Sequence, residues 1–401
     1  MSQTKIDRRD FLTSSIAVAG TSAILASDSQ AADSQEKAEA RSAETGTAYT
    51  GETIQGKKVI SRLNADDLEP GRKHFLYFRG VQMPGGQPWY VSVVVAKGVR
   101  PGKRFTLTSG VHGDEMSSIH TVQTVIDRLD PTQMSGTVMA VLDIARPALE
   151  SMQRRWPNSG RGVDLIDMNR EWPGDENGAS ATSRHAGLLF NRLLKPNTDL
   201  AIDFHTGTTG LEVAAFVIGD RNLPDVKTMS DLYPVGLMWD DPAYPGVLHN
   251  AFVDVGIPCF TPEVGAARVL DKDMMALFVE GTLNVLKHYG VIGGPIGRTA
   301  ADANMLIGDS AFPIIATHGG LVEFQAKLDG DVKAGQTIAV QRNMFGEVVA
   351  EYTTAVDGRL AAYRTDASSD PGNVLAFVLF RRPGSPPHAG AHPDSEKSYP
   401  E

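Results

Sequence analysis

Residues 105–120 read FTLTSGVHGDEMSSIH, an apolar strand-like run that passes through His112, Gly113, Asp114 and Glu115 into residues with helical spacing. The carboxyl end of such a strand is the edge where α/β sheets bind ligands. A histidine and a glutamate stand there three residues apart, on either side of a chain reversal at Gly113. Two readings are open. Asp114 or Glu115 can serve the first turn of the helix as an acid near its N-terminus. Alternatively, His112 and Glu115 turn toward one cation, for which zinc accepts this mixed nitrogen and oxygen donor set. In a chain with ten histidines the spacing alone does not decide.

On both sides of this stretch, strand-like runs alternate with helical ones. WYVSVVVA, RFTLTSG, TVMAVLDI, DLAIDFHT and VAAFVIG read as strands, and apolar residues recur at helical spacing over residues 117–129 and 272–289. That alternation predicts an α/β unit over residues 54–302, a mixed sheet flanked by helices. After GGPIGRTA the texture changes to short β-like runs with glycine turns, which predicts a second, all-β domain over residues 303–382. Residues 32–53 read as a flexible spacer, rich in Ser, Ala, Gln and Glu, and residues 383–401 as a disordered tail.

The 401-residue chain carries 38 Lys and Arg against 48 Asp and Glu, a formal charge of -10, so it has no general attraction for nucleic acid. At the N-terminus Arg8 and Arg9 precede a short, Ala/Ser/Gly-rich stretch, and Ser29, Gln30 and Ala31 offer a small-x-small site. Residues 1–31 thus resemble a twin-arginine export signal, with a periplasmic destination. The apolar part is too short and interrupted for a stable membrane anchor. The single Cys259 cannot form an intrachain disulfide and reads as a buried thiol within GIPCFTPEV.

A catalytic zinc needs a third ligand and an open position. DLAIDFHTGTTG offers His205 at another strand end, with Asp203 on the same side to accept the second ring proton. Glu263 ends a third apolar run, CFTPEVG, where it can act as a general base. Between them GRGVDLIDMNREWPG holds Asn169 and Arg170, donors suited to a substrate carboxylate, and Arg161, a candidate for stabilising an oxyanion. Taken singly, each has an ordinary structural reading: a satisfied histidine, a strand-end acid, a surface ion pair. Asp240 and Asp241 in MWDDPAYPG read as a solvated loop, with selection of a cationic substrate side chain as the alternative.

The order of these residues resembles that of the zinc carboxypeptidase clan. Within it, the short H-G-x-E, the D-x-N-R-x-x-P-G and the D-x-H-T resemble the succinylglutamate desuccinylase/aspartoacylase family over about residues 60–380. The resemblance implies a carboxypeptidase-like α/β fold, one zinc held by His112, Glu115 and His205, and Glu263 as general base. Departures are mild: Asp114 where Asn is usual, Met168 where Leu is usual, and Trp172 for Phe. No motif places a second arginine or a tyrosine of the pocket; Arg268 and Tyr244 are only neighbours in sequence. The stretch LDGDVKAGQTIAVQRNMFGEVVAEYTTAVDGRL resembles a biotinyl or lipoyl carrier, but its tip, QRNMFG, has no lysine to modify, so it reads as structural and bordering the site mouth.

The function implied is zinc-dependent hydrolysis of the amide bond of a small N-acyl amino acid, a small-molecule substrate. The alternatives are a metallocarboxypeptidase or amidase acting on short cell-wall peptides, and a non-catalytic binding protein on the same scaffold.

Overall fold

The computed structural model describes residues 46–157, 165–241 and 245–383. The signal segment and the C-terminal tail beyond 383 lie outside the described residues, as do Arg161 and Tyr244.

The strands, in chain order, are β1 (Ala48–Ile54), β2 (Lys57–Arg62), β3 (Arg72–Gln82), β4 (Pro88–Lys97), β5 (Arg100–Thr108), β6 (Ser135–Val141), β7 (Leu200–Asp203), β8 (Leu211–Val213), β9 (Phe216–Gly219), β10 (Leu237–Asp240), β11 (Cys259–Glu263) and β12 (Leu306–Gly308). All except β8 join one eleven-stranded sheet, ordered β1-β2-β3-β4-β6-β5-β7-β11-β9-β10-β12. Its middle four strands, β6, β5, β7 and β11, run parallel, while β3/β4, β4/β6 and β11/β9 are antiparallel. The sheet is therefore mixed, as the alternation of runs predicts.

Helices cover both faces because the central strands are apolar on both. Phe105 and Leu107 of β5, Val138 and Ala140 of β6, and Leu200 and Ile202 of β7 face α1 (Met116–Asp127) and, after the shorter helices α2 (Arg146–Glu150), α3 (Ala181–Leu189), α4 (Pro224–Asp231) and α5 (Leu248–Asp254), the long α6 (Lys272–His288). Met139 and Val141 of β6 and Ala201 of β7 point the other way, onto α2, α3 and α5. Strands buried on both sides lose the period-two pattern and read as continuous apolar runs, which is how they stand in the sequence. The helices predicted at 117–129 and 272–289 are α1 and α6, the latter opened by Asp271, whose carboxylate accepts from the Met274 amide.

From β13 (Ser310–Ile315) onward the chain is all β among the described residues: β14 (Gly320–Phe324), β15 (Asp331–Val332), β16 (Thr337–Arg342), β17 (Val348–Thr353), β18 (Gly358–Arg364), β19 (Ser368–Ser369) and β20 (Val374–Phe380). They form two antiparallel sheets, β13-β20-β18-β15 and β17-β16-β14-β19, packed through Ile314, Ile338, Leu360 and Val378. The β16/β17 tip exposes Met344 and Phe345.

Two boundaries differ from the sequence reading. Residues 48–53, taken as spacer, belong to the edge strand β1, whose AYTGETI has no fully buried position and so lacks the alternation that marks a strand. β12, assigned to the β-domain, pairs in parallel with β10 of the large sheet, whereas β8 leaves the α/β part to pair with β18. Three-residue strands take their partner from tertiary context, with too little pattern to show it beforehand.

Candidate metal centre

The parallel neighbours β5, β7 and β11 deliver His112, His205 and Glu263 to one edge of the sheet. His205 follows β7, and a parallel bridge sets it beside Glu263, so both side chains leave the sheet on the same face. The β5 chain turns at Gly113, where a Cβ would sit 2.0 Å from the Ala148 carbonyl carbon. Only glycine passes so close to α2, and that passage returns Glu115 to His112.

Glu115 occupies the N-cap position of α1, yet its side chain makes no cap hydrogen bond. Its Oε1 lies 2.7 Å from His112 Nδ1 and its Oε2 lies 2.9 Å from His205 Nδ1, with the two Nδ1 atoms 3.2 Å apart. The cap reading therefore fails, and Glu115 instead joins two histidines in a cluster that could hold a metal ion. All three residues are buried, and their ligand atoms lie within 4.8 Å of one another.

The far ring nitrogens are both occupied by carboxylates. His205 Nε2 is 2.9 Å from Asp203 Oδ2, the pairing the sequence suggests, and His112 Nε2 is 3.0 Å from Asp167 Oδ1. With the outward nitrogens donating to these carboxylates, each Nδ1 lone pair would be free for a cation at the shared point, the tautomer a metal ligand needs. Arg154 ties the cluster together, donating from Nη1 to Glu115 Oε1 at 3.1 Å and from Nε to Asp167 Oδ2 at 3.1 Å.

The electrostatics fit a divalent cation. Burying a carboxylate without compensation costs several kcal/mol; Glu115 and Asp167 share the Arg154 guanidinium, and Asp203 is compensated by His205. Burial pushes the Glu115 carboxyl up, but His112 and His205 outweigh it and hold it well below the usual range. Burial likewise opposes ionisation of Asp167, and the His112 hydrogen bond, with Arg154 and Arg170 beyond it, brings it down. Burial raises Glu263 to about 8, aided by the Glu115 charge and opposed by His205 and Arg154. Two imidazoles and a carboxylate suit zinc in its catalytic form, with three protein ligands.

The cluster opens into a cavity of about 640 Å³ whose lining includes Glu263, Asn169, Arg170 and Arg154. Asn169 Oδ1 accepts from the Leu248 amide at 2.9 Å, capping α5, so what Asn169 offers a ligand is its Nδ2–H. Arg170 donates through Nη1 to the Asn169 carbonyl at 2.8 Å while lining the cavity. Arg268 lies elsewhere, its side chain donating to the Met152 carbonyl. The two aspartates read as a solvated loop part company. Asp240 ends β10, buried, and accepts from the Arg221 amide at 3.0 Å, while Asp241 joins the cavity lining. Cys259 is fully buried, and burial pushes its thiol well up, as a structural thiol requires.

The sequence reading gave no role to Asp167 or Arg154. Asp167 opens the D-x-N-R motif, and its side chain also caps the short turn Met168–Arg170 by accepting from the Asn169 amide at 2.9 Å. That turn-starting position was the available signal. Arg154 offers none, since it lies 39 residues from Glu115 in an irregular segment. Asp114 is a latch: its Oδ2 accepts from the Thr209 amide and hydroxyl at 2.9 and 2.8 Å, fixing the loop after His205.

Residues 101–289 match the succinylglutamate desuccinylase/aspartoacylase catalytic domain. Over 289 residues the chain is 30% identical to an N-alpha-acetyl-L-2,4-diaminobutyric acid deacetylase of Halomonas elongata, spanning 69% of this chain and 82% of that protein. The chain belongs to the succinylglutamate desuccinylase/aspartoacylase family. Solved structures agree on the fold. A succinylglutamate desuccinylase from Silicibacter sp. TM1040 aligns with a TM-score of 0.67 at 23% identity, over 78% of this chain and 96% of that one. The product-bound ectoine utilization protein EutE (DoeB) of Ruegeria pomeroyi aligns with a TM-score of 0.69 at 19% identity, over 84% and 99%.

Asp203 and Asp167, each against the outer nitrogen of one imidazole, give a prediction. Asp203→Asn and Asp167→Asn should each weaken zinc binding about 10- to 100-fold by releasing one imidazole from its orientation. Competition with a chromogenic chelator reads this directly; unchanged affinity in both variants would remove the carboxylates from the metal's support.

Proposed function

We propose that the protein is a zinc-dependent deacylase that hydrolyses the amide bond of a small N-acyl amino acid. The observation that carries the reading is the convergence of His112 Nδ1, His205 Nδ1 and the Glu115 carboxylate, with Glu263 beside them in the same cavity. When bound, zinc supplies an electrophile for the acyl oxygen and acidifies water near neutral pH. The Glu263 carboxylate takes the proton of the attacking water and passes it to the leaving nitrogen, giving a carboxylate and a free amine. Arg170 and the Asn169 amide nitrogen anchor the carboxylate of the amino-acid part. Arg161 is assigned to the oxyanion.

The β-domain borders the cavity through β18 and β20, which contribute Ala362 and Phe377 to its lining. That border favours small substrates over peptides, and the carrier-like hairpin without a lysine serves the domain as structure. We place the protein in the periplasm, exported through its Arg8–Arg9 segment. The direct test is zinc reconstitution followed by assays with acetyl-, succinyl- and formyl-amino acids. Amine release from at least one is the expected result; peptide trimming with no release from any would reassign the protein as a peptidase.

A further inference from the structure

Away from the metal ligands the cavity changes character. On β9, Phe216 and Ile218 alternate with Val217, which faces the helices; on β10, Trp239 and Leu237 share a face and Met238 takes the other. Among the described residues no helix packs on the face that carries Phe216, Ile218 and Trp239. It meets instead Ala362 of β18 and Phe377 and Leu379 of β20. These six residues, contributed by two different sheets, all line the cavity that begins at His112 and Glu263. Phe377, Ile218 and Trp239 are only partly buried, so the space between the sheets is bounded by apolar surface that packing has not consumed.

Volume sharpens the point. A cavity of about 640 Å³ lies well inside the range that accommodates drug-sized ligands. An acetylated amino acid with a short polar side chain fills only the end nearest the ligands. Polar residues, among them Thr208, Thr209 and Asn373, edge the apolar surface, and Arg364 there is engaged with Asp366 at 3.0 Å. Asp241 also stands in the lining, and its preference for a cation is a direct competitor that the experiment must address.

We propose that this compartment selects N-acyl amino acids bearing a medium-sized apolar group, aliphatic or aromatic, either as the acyl chain or as the amino-acid side chain. The inference rests on the deacylase reading and adds the substrate class to it. Apolar area removed from water sets the expected size, about fourfold in kcat/KM per methylene that reaches the compartment.

The experiment compares N-acetylglycine with two apolar arms, N-hexanoylglycine and N-acetylphenylalanine, and with two polar controls, N-acetylaspartate and N-acetyl-2,4-diaminobutyrate, on the zinc-reconstituted protein. A gain of about a hundredfold in one apolar arm is expected, and the arm that gains identifies which part of the substrate enters. Phe377→Ser should shrink that ratio about tenfold, and Leu211→Ser, at another half-buried cavity position, should shrink it as well. Should N-acetyl-2,4-diaminobutyrate or N-acetylaspartate be the best substrate, the apolar compartment is overturned and the deacylase reading stands. Should none turn over, the succinyl and formyl assays above decide the deacylase reading, and binding decides the compartment. N-hexanoylglycine or N-acetylphenylalanine quenching tryptophan fluorescence at far lower concentration than N-acetylglycine, with that advantage reduced in Phe377→Ser, upholds it; binding of both no tighter than N-acetylglycine overturns it.

Discussion

His205→Ala is expected to bring zinc stoichiometry from about one per chain to near zero and to lower kcat/KM about a thousandfold or more, since the ligand set then falls below the three a catalytic zinc needs. The same substitution takes an imidazole from between Glu115 and Asp203, leaving two buried carboxylates to face each other. Breaking a buried pair on one side costs about 3–5 kcal/mol, so a depressed melting temperature should accompany the loss of metal. Metal content by elemental analysis and thermal melts on the same preparation separate the two effects. A variant that keeps full zinc and full activity would show that the three side chains gather for structural reasons alone.

Glu263→Gln is the second large effect, and its signature is different. The amide keeps nearly the same shape and can still accept a hydrogen bond, but it cannot take up a proton, so kcat should fall by about two to four orders of magnitude. Zinc stoichiometry should stay near one, because the ligand atoms belong to His112, Glu115 and His205. KM should move little, since the substrate anchors assigned here are elsewhere. A variant that loses its metal along with its activity would instead make Glu263 part of the ligand set.

Much of this centre was legible before any coordinates. His205 and Glu263 sit at strand ends, and His112 and Glu115 lie between the end of β5 and the start of α1, where apolar runs give way to polar residues, and that change of texture is visible residue by residue. Asp203 was legible for the same reason, because two residues along an extended chain place it on the His205 side. Asp167 and Arg154 were not. Each acts across a long sequence separation, from a 3-10 turn and from an irregular segment, where no periodicity announces what a side chain will face. The same limit applies to architecture. The strands β4 to β7 and β9 are long or apolar enough to show themselves, whereas β1 has no fully buried position and β8 and β12 span three residues each. The loop reading of Asp240 failed because a buried acid that caps a neighbouring amide looks, in sequence, like any pair of aspartates before a proline.

The crossing of β8 into the β-domain sheet has a mechanical consequence. Its residues Leu211, Glu212 and Val213 pair with Arg364, Tyr363 and Ala362 only a few positions after His205. Main-chain bonds thus stitch the β-domain, which roofs the cavity, to the loop that follows His205. Hinged opening of that roof would have to rip a ladder apart before it moved, so traffic in and out of the chamber is left to side chains and loops at the rim, and the shape a substrate meets is already set when it arrives.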